Sequence, residues 1–261
     1  MTDYRPARAI LALGDRFYDP VRAADFPQTI LRFRNDGAAA QIGLDGLSDA
    51  EWVRHFGRFE PLPGNLEQPL ALRYHGHQFR TYNPDLGDGR GFLFAQAHDD
   101  RGRLLDLGTK GSGQTPWSRF GDGRLTLKGA VREILATEML EALGVTTSRT
   151  FSVIETGEDL QRNDEPSPTR SAVLVRLNHS HVRYGSFQRQ AYCQDTDAVA
   201  RLCDYVLEHL APDAAGPSPA AAVLEQAVRS GAGLAAQFMI AGFVHGVLNT
   251  DNINITGESF D

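Results

Sequence analysis

The chain has 261 residues, of which 41% are hydrophobic and 23% charged, an ordinary balance for a globular protein with a substantial core. Its formal net charge of −7 argues against nonspecific nucleic-acid binding as the main role. Two cysteines ten residues apart form neither a disulfide framework nor a zinc pattern, and no apolar run approaches the length of a membrane span. We therefore expect a cytoplasmic protein with neither nucleic-acid nor membrane partners.

The segment Gly87-Asp-Gly-Arg-Gly91 is the first motif with a chemical meaning. It precedes a strand-like run at residues 92–97, and a return strand is expected at 103–109. A glycine turn before a strand lets backbone N–H groups approach phosphate without interference from Cβ atoms. A plain hairpin turn explains the same residues, so the motif alone leaves both interpretations open.

Lys110 lies about twenty residues past the glycine turn, where a protein kinase carries its phosphate-binding lysine. A helix is expected at 129–143, where Gly144 supplies a stop. Its predicted apolar stripe consists of Val131, Ile134, Leu135, Met139, Leu140 and Leu143. Glu133 is either a solvated carboxylate favoured by the helix dipole or the residue that pairs with and orients Lys110.

Two strands, at 147–155 and 171–177, follow the helix and are joined by a polar loop. Arg176 and Arg183 come next, and each guanidinium suits a triphosphate because it can donate to two oxygens at once. A surface salt bridge is the alternative for either residue. Two helical stretches are expected within 223–244, separated at Ser230-Gly231.

The last stretch contains the polar segment Asn249-Thr-Asp-Asn252, a short predicted strand at 253–255, and Asp261. Asn252 and Asp261, on either side of a short β-segment, are placed to converge on one Mg²⁺ through oxygen, as the corresponding residues do in protein kinases. Val247 fills the position of the kinase base and cannot accept a proton. Asp251 is the only nearby carboxylate that could accept a proton. An Asx-rich turn that caps a helix is the alternative interpretation.

Taken together, these motifs resemble the SelO (selenoprotein O) family of protein adenylyltransferases, which are kinase-fold pseudokinases. The matching stretches cover roughly residues 70–261 in family order. They are Arg73-Tyr-His-Gly-His-Gln-Phe79, Asn83-Pro-Asp-Leu-Gly-Asp-Gly-Arg90, Lys110-Gly-Ser-Gly-Gln-Thr-Pro116, Gly121-Asp-Gly-Arg124, Arg132-Glu133, Val173-Leu-Val-Arg176, His181-Val-Arg183, Gly185-Ser-Phe187 and His245-Gly-Val-Leu-Asn-Thr-Asp-Asn252.

The resemblance implies an α+β, protein-kinase-like, two-lobed fold. Residues 1–70 would be an N-terminal extension on the kinase-like core, 71–178 an N-lobe-like nucleotide-binding region with a mixed antiparallel sheet, and 179–261 the start of a helical C-lobe. Family members continue well past Asp261, so the resemblance leads us to expect a C-terminally truncated chain with an incomplete C-lobe.

The implied activity is transfer of AMP from ATP, bound in a flipped orientation, to a Ser, Thr or Tyr hydroxyl of a protein, with pyrophosphate leaving. Asp251 would be the catalytic base, Glu133 would orient Lys110, and Asn252 and Asp261 would bind Mg²⁺. Mn²⁺ suits the same oxygen ligands. The nucleotide would contact Gly87, Gly89, Arg90, Lys110, Asp122, Gly123, Arg176, Arg183 and Asp261. The alternatives are a non-catalytic ATP-binding pseudokinase fragment and a conventional protein kinase.

Overall fold

The computed structural model describes residues 3–259, and within them the chain has the predicted α+β architecture. Its centre is an antiparallel sheet. The strands are β1 (Pro6–Ala7), β2 (Tyr18–Pro20), β3 (Ile30–Arg34), β4 (Leu70–Leu72), β5 (Gly76–Gln78), β6 (Thr81–Asn83), β7 (Leu93–His98), β8 (Leu104–Lys110), β9 (Leu125–Thr126), β10 (Arg149–Leu160) and β11 (Thr169–Asn178). The order across the sheet is β2-β4-β7-β8-β11-β10-β3, with β1 paired to β7 and β9 to β11, while β5 and β6 form a separate hairpin.

The helices lie around this sheet and after it in the chain. They are α1 (Asp36–Gln41), α2 (Asp49–Phe56), α3 (Leu127–Ala142), α4 (Tyr184–Tyr192), α5 (Thr196–Tyr205) and α6 (Pro219–Ala241), with a 3-10 helix at Ala9–Leu13 and a π-helical turn at Val206–Leu210. Helix α2 begins with a capping box, since the Ser48 side chain and backbone exchange hydrogen bonds with Glu51. Within residues 3–259, no helix combines the length and apolar character that crossing a membrane requires.

Alternating side chains of the central strands build hydrophobic cores on both faces of the sheet. In β7, Phe94 packs with the cluster around Trp52, Phe56 and Phe151, whereas its neighbour Leu93 joins the cluster formed with α5. This is the expected consequence of a strand, where successive side chains point to opposite faces. Both faces of β7 and β8 are therefore buried, and residues at their ends are held in fixed positions.

Helix α3 was placed correctly from the sequence, but its predicted apolar stripe is mostly not buried. Val131, Leu135, Met139 and Leu143 are exposed, while Leu140 is buried and Ile134 is partly buried. The helix rests on β10 and β11 through Ala130 and residues next to it. The side of α3 that packs on the sheet is therefore narrower than the six-residue apolar stripe predicted from the sequence.

Two other local predictions were wrong. Helix α6 runs without a break through Ser230 and Gly231. Gly231 lies where a Cβ would be only 2.7 Å from the Tyr184 hydroxyl oxygen. The glycine permits close packing of α6 on α4. Residues 253–255 form isolated bridges, Ile253 with Ser259 and Asn254 with Arg183, in place of the predicted strand. Strands from residues 1–70 pair directly with the sheet, and the proposed domain division at 70 and 178 stays a prediction.

Candidate active site

A polar cavity of about 830 Å³ lies against the ends of the central strands. Among the described residues, seven Arg or Lys residues and three Asp residues line it, although the whole chain carries a net charge of −7. The charged residues are Arg90, Lys110, Arg119, Arg124, Arg162, Arg176, Arg183, Asp88, Asp122 and Asp251. A concentration of cations in one concave site is the arrangement that binds a polyanion such as a nucleoside triphosphate.

Lys110 and Arg176 reach the same face of the sheet from neighbouring strands. Lys110 is paired in register with Leu174, and Arg176 follows two residues later, so both side chains point to the side covered by α3. Glu133 on α3 forms an ion pair with Lys110 through Oε1 and lies 3.3 Å from the Arg176 guanidinium through Oε2. The carboxylate thus fixes the two cations together at the cavity wall.

The glycine turn packs closely against residues 115–118 of the same chain. A Cβ on Gly87 would lie 2.4 Å from the Trp117 ring, and one on Gly89 would lie 2.9 Å from the Trp117 carbonyl oxygen. Hydrogen bonds from Thr115 Oγ1 to the Asp88 carbonyl and from Ser118 Oγ to the Gly89 carbonyl fasten the two segments. Close packing against residues 115–118 therefore requires glycine at positions 87 and 89, whether or not a ligand also approaches the backbone there. Arg90 is exposed at the cavity.

Arg183 is held in the cavity wall by Asp88, a residue within the glycine turn. Its guanidinium donates to Asp88 Oδ1 at 2.9 Å, and both side chains are more than nine-tenths buried. The same guanidinium lies 4.0 Å above the centre of the Tyr74 ring, which adds a cation–π contact. The Leu72 N–H donates to the second oxygen of Asp88 at 2.9 Å. Asp88 therefore joins the glycine turn, strand β4 and Arg183.

Asp122 and Gly123 belong to the segment 117–124, which forms one side of the cavity. The Arg162 guanidinium donates to both oxygens of Asp122, and Arg124 forms a two-pronged pair with Glu158. Although partial burial raises the pKa of Asp122, the Arg162 guanidinium and the Arg124 N–H outweigh it and lower the pKa below its usual value. Gly123 has φ +70°, and a Cβ there would lie 2.3 Å from the Gly113 backbone.

Asp251 lies at the cavity wall with its two oxygens in different environments. Oδ2 accepts a hydrogen bond from Gln78 Nε2 at 3.0 Å. Oδ1 is buried and accepts no hydrogen bond from any residue in 3–259. A buried carboxylate oxygen without a donor is costly unless a ligand or cation completes it.

Asn252 closes a tight turn beside Asp251. Its Oδ1 accepts from the Asn249 N–H at 2.6 Å, and its amide donates to the Val247 carbonyl. Val247 is partly exposed and has no group that could accept a proton. Asn252 does not line the cavity formed by the described residues, so this turn matches the alternative Asx interpretation as well as the proposed metal position.

The Asn252 side chain fits a hard divalent cation in its chemistry. Its Oδ1 keeps a second lone pair beside the hydrogen bond from the Asn249 N–H, and an amide oxygen is a ligand of the kind that Mg²⁺ accepts. No group of three or more His, Cys, Asp or Glu side chains within the described range is placed to hold a metal. Asp261, predicted to bind the metal and the nucleotide, lies outside the described residues.

Of the predicted site residues, the structure gathers nine around the cavity: Gly87, Gly89, Arg90, Lys110, Asp122, Gly123, Arg176, Arg183 and Asp251. Glu133 lies immediately behind it, in contact with Lys110. Three cavity residues were not predicted as site residues: Arg162, Asp88 and Gln78. Gln78 and Asp88 belong to motifs that resemble the SelO family, whereas Arg162 belongs to a polar loop whose sequence carries no recognisable spacing.

The fold and site define a class, the kinase-like α+β proteins. Comparison with known proteins agrees: the family model described as "Protein adenylyltransferase SelO" matches residues 2–261. Proteins named "Protein nucleotidyltransferase YdiU" are similar to this chain over almost all of its length. The one from Gloeobacter violaceus is 55% identical over 99% of this chain and 53% of its own length, and the one from Synechocystis sp. is 52% identical over 99% and 54%. A more distant one, from Vibrio cholerae, is 39% identical over 98% and 51%.

The chain therefore belongs to the SelO family. It spans about half the length of the curated relatives that it matches.

Proposed function

We propose that this chain carries the nucleotide site and the base of a protein adenylyltransferase. The supporting observation is the cation-rich cavity with the unsatisfied Asp251 Oδ1 in its wall. In the proposed reaction, the hydroxyl oxygen of a Ser, Thr or Tyr on an acceptor protein attacks the α-phosphorus of ATP. The bond between that phosphorus and the α–β bridging oxygen breaks, pyrophosphate leaves, and the hydroxyl proton passes to Asp251 Oδ1.

The cations have a separate task in this proposal. Lys110, Arg176 and Arg183 hold the phosphates, and Arg90, Asp122 and Gly123 contact the nucleotide from the glycine turn and the segment 117–124. Because Glu133 and Asp88 already fix Lys110, Arg176 and Arg183, the site is organised before the substrate arrives. Preorganised charge stabilises a leaving pyrophosphate without further rearrangement.

Asn252 and Asp261 would hold Mg²⁺, or Mn²⁺ in its place, which supplies charge neutralisation for the phosphates. ATP would lie in the flipped orientation that the family resemblance implies, with its α-phosphate toward Asp251. We further propose a cytoplasmic location, since Cys193 and Cys203 are both free thiols.

The test is transfer of label to protein from α-labelled and γ-labelled ATP with Mg²⁺, using this chain and, as a positive control, the full-length Gloeobacter violaceus relative. Label from the α-labelled nucleotide alone, lost in Asp251→Asn, is the expected result. Transfer of the γ-label would indicate a conventional kinase. Binding of ATP without any transfer by this chain, while the relative is active, would indicate a non-catalytic ATP-binding chain.

A further inference from the structure

The β5–β6 hairpin lies directly against the segment that bears Asp251. The His77 N–H donates to Thr250 Oγ1 at 2.9 Å, and a Cβ on Gly76 would lie 2.7 Å from the Asp251 Cβ. Both Gln78 and Asp251 line the cavity. The hairpin thus supports the candidate base from one side, and its glycine permits that close approach.

Gln78 makes the polar contact between the hairpin and the base. Its Nε2 donates to Asp251 Oδ2 at 3.0 Å. Its Oε1 accepts from Asn83 Nδ2 at 3.2 Å, across the same hairpin. Because the oxygen of the amide is taken by Asn83, the nitrogen is the end that faces the carboxylate, and Asn83 thereby sets the orientation of Gln78.

This chain of hydrogen bonds makes the two oxygens of Asp251 unequal. Oδ2 is held by an amide donor, whereas Oδ1 is buried with no donor in residues 3–259. A general base needs one oxygen with a free lone pair within hydrogen-bond reach of the proton that it removes. Holding the other oxygen fixes the carboxylate rotamer and keeps that lone pair available.

We propose that Gln78 and Asn83 are positioning residues for Asp251: Asn83 orients Gln78, and Gln78 holds Oδ2 so that Oδ1 receives the acceptor proton. The inference rests on the proposed function, because it assigns both residues to the same transfer. It predicts an effect on proton transfer that a hairpin with only a structural role would not produce.

The experiment compares Gln78→Glu and Gln78→Ala with Gln188→Ala in this chain, measuring kcat and the KM for ATP. Gln188 is a matched control, since it bonds His77 and Thr250 in the same region but makes no hydrogen bond to Asp251. In Gln78→Glu, a carboxylate replaces the amide donor and repels Asp251 Oδ2, so this variant should lose at least as much kcat as Gln78→Ala.

The expected fall in kcat at neutral pH is about tenfold for both Gln78 variants, with the KM for ATP changed by less than about twofold. Asn83→Ala should lower kcat in the same direction but less. Thermal unfolding would verify that each variant is folded. An unchanged kcat in Gln78→Ala, or an equal fall in Gln188→Ala, would overturn the inference.

A second readout separates this inference from the proposed function. If the wild-type chain transfers no α-label, the proposed function fails, but crystal structures of the variants can still show the position of the Asp251 carboxylate. The carboxylate should leave its wild-type rotamer in Gln78→Ala and keep it in Gln188→Ala. An unchanged rotamer in Gln78→Ala would contradict the positioning role.

Discussion

Arg162 donates hydrogen bonds to both carboxylate oxygens of Asp122, at 2.8 and 3.2 Å. This pair joins the connection between β10 and β11 to the segment 117–124, two regions that are separated by 40 residues in the chain. Both residues line the cavity. A partly exposed ion pair therefore helps to close this side of the proposed nucleotide site.

Replacing Arg162 with Ala should weaken ATP binding several-fold, by about 1 kcal/mol, and leave the unfolding temperature nearly unchanged. The reason is that an exposed ion pair contributes little to stability, whereas losing this pair releases the segment 117–124 from the β10–β11 connection and so loosens one side of the nucleotide site. Calorimetric titration with ATP measures the change. Arg229→Ala, which breaks the exposed pair with Glu225 on α6, is the matched control. Equal affinities of the two variants would show that the Arg162 contact does not shape the site.

Asp88→Asn should lower the free energy of unfolding by about 3 kcal/mol, because it removes a charged partner of the buried Arg183 guanidinium. Urea unfolding provides the measurement. Asp25→Asn, at a fully exposed carboxylate, should change stability by less than about 0.5 kcal/mol. Adding Arg183→Leu to Asp88→Asn should recover part of the loss, and a fully additive double variant would argue against coupling of the pair.

Glu258 should make stability depend on pH. Burial raises the pKa of Glu258 to about 7 from an ordinary 4.5, and Asp106 adds to this, while the His179 N–H and the charges of Arg103 and Arg149 oppose it. Since the folded state binds this proton more tightly than the unfolded chain, the contribution to stability is fully present below about pH 4.5. It is lost as pH rises through about 7.

The variant Glu258→Gln keeps an acceptor for the His179 N–H but cannot ionise. It should therefore gain stability relative to the parent between pH 5 and pH 8, on the order of 2 kcal/mol at the upper end. Urea unfolding at both pH values gives the difference. Glu225→Gln, at an exposed site on α6, should follow the parent at each pH. A Glu258→Gln variant that also follows the parent would contradict the assignment.

The sequence predicted the elements that depend on local pattern and kinase-like spacing. Lys110, the α3 helix with Glu133, and the strands β10 and β11 all lie where they were expected, because period, caps and spacing are local properties. The contact between Lys110 and Glu133 followed from the kinase comparison, since the two residues are far apart in the chain.

The parts that were missed depend on tertiary packing. Arg162 reaches the cavity only because the β10–β11 connection folds over the segment 117–124, and no spacing in a polar loop records this. Ser230-Gly231 looked like a helix break, but the glycine accommodates Tyr184 within a continuous α6. Gln78 stood in a recognised motif, yet its contact with Asp251 spans 173 residues.

The proposed function requires that the α-phosphate of ATP face Asp251. A crystal structure of this chain with a non-hydrolysable ATP analogue and Mg²⁺ would show which phosphate does so. We expect the α-phosphorus on the Asp251 side of the cavity, with Lys110, Arg176 and Arg183 on the phosphates. A γ-phosphate facing Asp251, or a nucleotide bound outside the cavity, would show that this chain does not bind ATP for transfer of AMP.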